Sequence, residues 1–218
     1  VHRSDRQTAA KVAEALWYPI WDSGLRLDHS VRTVAESRRI ASQDLKAVLG
    51  LMDGRPIAGD PSIGDELVSS VLADWRAMAE RRLPELRELV DERRRRFADL
   101  QSLLEPDLKE SYGGLRESTI LRAIAASWVT DIPHDRWPAG VEFLQDVRDA
   151  LHLQTGRNSD VLIQQDQAAV ADALGIADRD VLLRRVYDAA RSIAYASDVA
   201  WYRVGRQSRP SPRLSFRP

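Results

Sequence analysis

Hydrophobic residues recur at helical spacing along most of the chain. The first predicted helix runs to about Trp21, and Ser4 or Asp5 can cap its start. Its apolar positions repeat three and four residues apart: Val12, Leu16, Trp17 and Ile20. Pro19 falls near the end of this pattern, where a proline stops or kinks a helix.

The pattern then changes to strict alternation over residues 25–33, which predicts a strand. One side carries Leu25, Leu27, His29 and Val31, and the other carries Arg26, Asp28, Ser30 and Arg32. A carboxylate, a hydroxyl and two guanidinium groups on one face can hold a metal-bound phosphate. They can equally form the solvent face of an edge strand, and both interpretations stay open.

Helices dominate the remainder of the chain. Thr33 and Asp44 are placed to cap two short helices, and residues 53–62 are predicted as a loop or a short edge strand. Helical spacing resumes over 62–82, and Pro84 is predicted to open the next helix. The later helices are predicted at about 118–130, 139–155, 163–174 and 180–203. The fold class is therefore mainly α, with a small α/β region before a helical bundle.

Composition excludes several classes of protein. The 32 basic and 33 acidic residues nearly cancel, so bulk charge gives no reason to expect nucleic acid or a membrane surface as a partner. The absence of cysteine excludes disulfides and thiolate chemistry, and it favours a cytoplasmic location. Neither a signal peptide nor an apolar run long enough to span a membrane is present.

Three local features have ordinary structural interpretations. The charged run at 92–96 is interpreted as a solvated helix face, and the six tryptophans as core residues. His134 and Asp135 are similar to the pair of a metal phosphohydrolase, but they lack the helix-borne partners that such a site needs. Residues 205–218 have the composition of a basic, proline-containing linker, so we expect the chain to be a piece of a longer protein.

Three stretches resemble one family, the bacterial protein-PII uridylyltransferases. These are "LWYPIWDSGLRLDHSVRTVAE" at 16–36, "LLEPDLKESYGGLRE" at 103–117 and "VRDALHLQTGRNSDVLIQQDQ" at 147–167. The middle stretch is similar to a family motif close to D-L-K-E-G-x-G-G-L-R-D. Ser111, Tyr112 and Glu117 depart from that motif.

The resemblance implies a function and a domain plan. Members of this family transfer a nucleotidyl group from UTP, or in some branches ATP, to the signalling protein PII, using Mg²⁺ and responding to glutamine. Their catalytic domain resembles DNA polymerase β, and separate HD and ACT domains remove the group and sense the effector. Residues 1–60 would then be the C-terminal part of the nucleotidyltransferase domain, and 61–204 a helical domain.

The same resemblance marks candidate site residues. The Gly-Gly loop and D-x-D pair that begin the family's active site are absent from the sequence, so Asp28 is the one candidate catalytic carboxylate and metal ligand. Asp44, Asp53 and Asp60 are weaker candidates, because caps and turns explain them. Candidate nucleotide-binding residues are Ser30, Arg32, Thr33, Lys109, Gly113, Gly114 and Arg116.

Each candidate also has a structural alternative. Thr33 can serve only as a cap, and the glycine pair can simply turn the chain between two helices. Asp107 and Glu117 can be salt-bridge partners of Lys109 and Arg116, while His152 and Arg157 organise the bundle.

The leading interpretation is a fragment of a PII nucleotidyltransferase that is inactive by itself. The alternatives are a helical module that docks PII or neighbouring domains, and a degenerate nucleotidyltransferase that only binds ligand.

Overall fold

The structure is a computed structural model that describes residues 6–25, 27–133 and 136–207. Several predictions fall outside these ranges: the Ser4 or Asp5 cap, Arg26, the His134–Asp135 pair and most of the 205–218 linker. The described residues are mainly helical, as the sequence predicts. Within them, no helix combines the length and the apolar character that crossing a membrane requires.

Eight α-helices follow one another along the described chain. They are α1 Arg6–Asp22, α2 Val34–Gln43, α3 Leu45–Met52, α4 Pro61–Phe97, α5 Leu115–Ala126, α6 Trp137–Thr155, α7 Gln164–Ala173 and α8 Arg179–Gln207, with a 3-10 helix Leu100–Ser102 after α4. Both predicted N-caps are present. Thr33 forms a reciprocal capping box with Glu36, and the Asp44 carboxylate accepts from the backbone N–H groups of Lys46 and Ala47.

The strand predicted over 25–33 is absent, and this prediction was wrong for the described residues of that segment. Residues 27–33 are irregular, and Leu25 and Val31 are exposed rather than buried on one face. His29 is exposed as well, although its ring lies 3.9 Å from that of Trp17 and 4.8 Å from that of Trp21 on α1. Leu27 alone on the predicted apolar face is partly buried. A strand needs a partner to satisfy its backbone groups, and the described chain supplies none here.

The helix break predicted at Pro84 is also wrong, because α4 continues through it for 37 residues. Pro84 is exposed, whereas Leu83, Leu86 and Val90 are buried on the opposite face. Proline removes one backbone hydrogen bond, and burial of this apolar face outweighs that loss.

The chain divides into two compact units, Val1–Ala77 and Met78–Pro218, at a point inside α4. The domain boundary after residue 60 stays a prediction. The first unit contains α1 to α3 and the start of α4. Within it, the guanidinium of Arg38 on α2 donates two hydrogen bonds to the carboxylate of Asp74 on α4, at 2.7 and 2.8 Å. The second unit contains the rest. Its fully buried large side chains are Leu83, Leu86, Leu100, Leu108, Leu121, Ile124, Leu144, Leu151, Leu162, Leu182 and Ile193.

Tryptophan burial is divided. Trp75, Trp137 and Trp201 are buried, as predicted for core residues. Trp128 is 75% exposed and Trp21 is 37% exposed, so the prediction fails for these two. Helical spacing shows which residues share a face, but not whether another element covers it.

Candidate functional site

The motif segment, residues 103–117, follows the 3-10 helix in the second unit, forms a closed loop and ends in the first turn of α5. Two isolated bridges hold it. Leu100 N–H donates to the Tyr112 carbonyl at 3.0 Å, and Tyr112 N–H donates to the Ala98 carbonyl at 2.9 Å. At the other bridge, Leu108 N–H donates to the Asp160 carbonyl at 2.9 Å. Backbone hydrogen bonds therefore fix the segment both to residues 98–100, which precede it, and to Asp160, which follows it.

Residues 111–114, in the turn of the motif segment, are buried. Gly113 has a φ of +87°, and a Cβ there would lie 2.7 Å from the carbonyl oxygen of Ala190 on α8. A Cβ on Gly114 would lie 2.8 Å from the carbonyl oxygens of both Leu108 and Ser111. Both positions exclude any side chain, so the turn itself requires the two glycines.

The backbone donors that follow the turn are already used. The N–H groups of residues 114–117 donate within the segment, to the carbonyls of Ser111, Leu108, Lys109 and Gly114 in that order. In the described conformation these donors are not directed at an external phosphate.

The two cationic candidates of the motif segment form ion pairs at its surface. Lys109 Nζ lies 3.4 Å from a carboxylate oxygen of Asp160, and Arg116 Nε donates to Glu110 at 2.9 Å. Neither pairs with Asp107 or Glu117, so that alternative was wrong. The Asp107 carboxylate instead accepts from the backbone N–H groups of Lys109 and Glu110 at 2.9 and 2.8 Å.

Glu117 is fully buried at the start of α5. Its carboxylate pairs with Arg93 of α4 and accepts a hydrogen bond from the Ser197 hydroxyl of α8 at 3.0 Å. Burial raises the pKa of Glu117, against the opposing effects of the Arg93 charge and the Ser197 hydrogen bond. No local pattern predicts this pair, because the charged run at 92–96 was interpreted as a solvated face, which is wrong for Arg93.

A second set of polar contacts lies beside this pair. The Tyr112 hydroxyl donates to Asp198 of α8 at 2.6 Å, and burial raises the pKa of that phenol. The guanidinium carbon of Arg94 lies 3.9 Å from the centre of the Tyr112 ring, and Arg94 also pairs with Asp99 at 3.1 Å. Tyr112, a departure from the family motif, thus links the motif segment to both α4 and α8.

Asp160 is the centre of a third set. Its carboxylate accepts from Arg148 Nε at 2.6 Å, and it lies 3.1 Å from His152 Nε2 and 3.4 Å from Lys109 Nζ. Partial burial raises the pKa of Asp160, but the hydrogen bond and charge of Arg148 together with Lys109 outweigh it, so the pKa lies below its usual value. His152 and Arg157, which pairs with Asp166, organise the bundle as predicted.

The other candidates lie in the first unit. Asp28, Ser30 and Arg32 are exposed, and Thr33 is partly buried as the cap of α2. Among the described residues, no group of three or more histidine, aspartate or glutamate side chains is close enough to hold a metal ion. The roles of the candidate residues in binding nucleotide or metal stay predictions.

The fold and the motif segment together define a helical bundle built around a buried double-glycine turn, and the comparisons identify its family. The family model described as GlnD PII-uridylyltransferase matches residues 76–132 and 119–200. The chain belongs to this family.

Named relatives agree with this assignment. The bifunctional uridylyltransferase/uridylyl-removing enzyme of Streptomyces coelicolor is 56% identical over 97% of this chain and 26% of its own length. Enzymes of the same name from Mycobacterium tuberculosis H37Rv and Corynebacterium glutamicum are 42% and 36% identical, over 86% and 83% of this chain. The chain spans about a quarter of the length of these curated relatives. No solved structure matches it.

Proposed function

We propose that this chain is part of an enzyme that transfers a nucleotidyl group from UTP, or from ATP, to the signalling protein PII in the cytoplasm, with glutamine as its effector. The match of residues 76–200 to the PII-uridylyltransferase family supports this proposal. Within such an enzyme the second unit is the helical bundle that carries the motif segment. Removal of the group, which the relatives' names include, would belong to another part of the longer protein.

The described residues do not by themselves fit a site for two magnesium ions. Mg²⁺ requires octahedral oxygen coordination, and nucleotidyl transfer with two metals needs several carboxylates at one place. Asp28 is exposed and belongs to no cluster of metal-binding side chains among the described residues. We propose that Asp28 contributes one carboxylate, with Ser30 and Arg32 facing phosphate, to a site that other segments of the longer protein complete.

The candidates of the motif segment divide into two groups. Lys109 and Arg116 lie at the surface, where they can exchange their carboxylate partners for phosphate oxygens. For Gly113 and Gly114 the tight packing is a sufficient reason for glycine. This second observation favours the alternative in which the helical unit is an interaction module that docks PII or neighbouring domains.

A transfer assay with purified PII tests the proposal. The full-length protein that contains this segment, given Mg²⁺ and UTP or ATP, should add a nucleotidyl group to PII, visible by intact mass. The donor that works identifies the nucleotide. The 218-residue chain should give a rate at least about a thousandfold lower, because its described residues supply no cluster of carboxylates for the metal ions that stabilise charge at the reacting phosphorus. Robust transfer by the 218-residue chain would contradict this division of roles.

Two further measurements separate the parts of the proposal. In the full-length protein, Asp28→Asn should lower kcat with little effect on thermal unfolding, and unchanged activity would make Asp28 a surface residue. Calorimetry of PII with the 218-residue chain should show weak binding if the helical unit docks PII. The absence of heat at high micromolar concentration would remove the docking alternative while leaving the transfer proposal intact.

A further inference from the structure

A cleft of about 720 Å³ lies between α6 and α8, apart from the motif segment. The guanidinium carbon of Arg185 on α8 lies 4.4 Å from the centre of the Phe143 ring on α6. One turn earlier on α6, a Cβ on Gly140 would lie 2.8 Å from the Ser192 hydroxyl and 3.1 Å from the Ala189 carbonyl. The two helices therefore run antiparallel and approach closely at Gly140, and small residues there form the floor of the cleft.

Three arginines line this cleft: Arg136, Arg185 and Arg191. Arg191 pairs with Asp188, the one carboxylate among the described residues of the lining. Within the described parts of the chain, no carboxylate lies within ion-pair distance of Arg136 or Arg185. Among the described lining residues this leaves a surplus of two positive charges, one from Arg185 on α8 and one from Arg136 at the N-cap of α6. The positive end of the α6 dipole adds to them.

Three aromatic residues also line the cleft: Trp137, Phe143 and Tyr195. Trp137 is buried, and its indole N–H donates to the Pro133 carbonyl at 2.5 Å, so it presents an apolar wall with its polar atom satisfied. Tyr195 on α8 is 67% exposed, which leaves its ring accessible at the mouth of the cleft. Planar rings stack well on exposed aromatic and guanidinium groups.

We propose that this cleft binds a small polyanion that carries a planar ring, a description that fits nucleoside phosphates as a chemical class. Its volume lies within the range of about 300–1,000 Å³ that is typical of small-molecule sites. Arginines on opposite walls suit a ligand with more than one anionic oxygen, since each guanidinium can form paired hydrogen bonds with phosphate. The inference goes beyond the proposed function, because no cleft residue belongs to the motif segment or to residues 28–33.

Calorimetry of the 218-residue chain with UTP, ATP, inorganic tripolyphosphate and uridine tests this proposal. UTP and ATP should bind, whereas tripolyphosphate, which lacks a ring, and uridine, which lacks phosphate, should bind at least about tenfold more weakly. The double variant Arg136→Ala/Arg185→Ala should weaken nucleotide binding by about tenfold or more. Arg184→Ala is the matched control, because Arg184 is an exposed arginine next to Arg185 that does not line the cleft.

Several outcomes would overturn the proposal. No nucleotide binding at millimolar concentration would do so, as would equal binding in the folded double variant, whose helix content is checked by circular dichroism. If Arg184→Ala weakened nucleotide binding as much as the double variant does, only the overall charge of the chain would matter. If tripolyphosphate bound as tightly as UTP and ATP, the ring would not be recognised. Loss of binding in Arg32→Ala, with none in the double variant, would place the nucleotide in the first unit. The PII transfer assay does not depend on any of these results, so the two proposals can fail separately.

Discussion

Among single residues, Gly113 and Gly156 both have positive φ, but they differ in their surroundings. Comparing them separates the cost of a left-handed backbone from the cost of a clash between an added Cβ and its neighbours. Gly113 and Gly156 have φ values of +87° and +61°, but only Gly113 faces neighbouring atoms within 4 Å. Gly156 ends α6, and the sequence indicates such a role through its position after a helical pattern. The contact of Gly113 with Ala190 joins residues far apart in sequence, and no local pattern predicts it.

Gly113→Ala should therefore destabilise the chain more than Gly156→Ala. Left-handed backbone costs an alanine about 1–2 kcal/mol at either site. At Gly113 the added Cβ also meets the Ala190 carbonyl at 2.7 Å, so α8 or the turn must shift. We expect a loss of at least about 3 kcal/mol for Gly113→Ala in urea unfolding. Equal losses for the two variants would show that the α8 contact does not restrict this turn.

Asp160 predicts a dependence of stability on pH. Its folded pKa is depressed, so the carboxylate contributes stability above its unfolded pKa of about 4, and this contribution is lost as the pH falls through the folded value. Asp160→Asn removes the titrating group. The difference in unfolding free energy between the unaltered chain and Asp160→Asn should be largest near neutral pH and should shrink below about pH 4. A difference that stays constant between about pH 7 and pH 3 would contradict the ion-pair role.

Among the helices, one buried carboxylate connects three elements. Glu117 at the start of α5 contacts Arg93 of α4 and Ser197 of α8, which makes the motif segment part of the packing of the second unit. The helices themselves follow from sequence periodicity. Their contacts do not, since Arg93 belongs to a charged run that looks uniformly solvated in the sequence.

Glu117→Gln should cost about 3–5 kcal/mol, because it leaves the Arg93 guanidinium without its counter-charge in a buried site. Glu110→Gln is the control, since it breaks the partly exposed pair with Arg116 and should cost less than about 1 kcal/mol. Urea unfolding measures both. Similar small losses for both variants would mean that the Arg93–Glu117 pair is hydrated in solution.

Over the chain as a whole, the two units differ in how much apolar side chain they bury. The buried hydrophobic residues described in the first unit are Ala13, Ala41, Val48, Val71 and Trp75. The second unit buries a much larger set, which is centred on α5, α6 and α8. Because burial is the main source of stability, the units should open with different free energies.

Hydrogen exchange measured by mass spectrometry should show this difference. Peptides from 27–60 should exchange faster than peptides from α5, α6 and α8, and residues 27–33, which form neither helix nor strand, should be among the fastest. Within the first unit, peptides from α2 and α3 provide the comparison for residues 27–33. Both helices are capped, so their amides should exchange more slowly than those of residues 27–33. Uniform protection across both units would show that the first unit is as stable as the second.

Most of the helices, the caps at Thr33 and Asp44, and the motif segment that carries the family resemblance can be predicted from the amino-acid sequence alone. These features depend on neighbours within a few residues, and the sequence records such neighbours directly. Only tertiary packing shows that residues 27–33 form no strand, that α4 continues through Pro84, and that the double-glycine turn is buried. It also selects Arg93 as the partner of Glu117 and places Arg136 and Arg185 on opposite walls of one cleft. The physical reason is that pairing across tens of residues depends on which helix faces meet, and periodicity defines a face without naming what covers it.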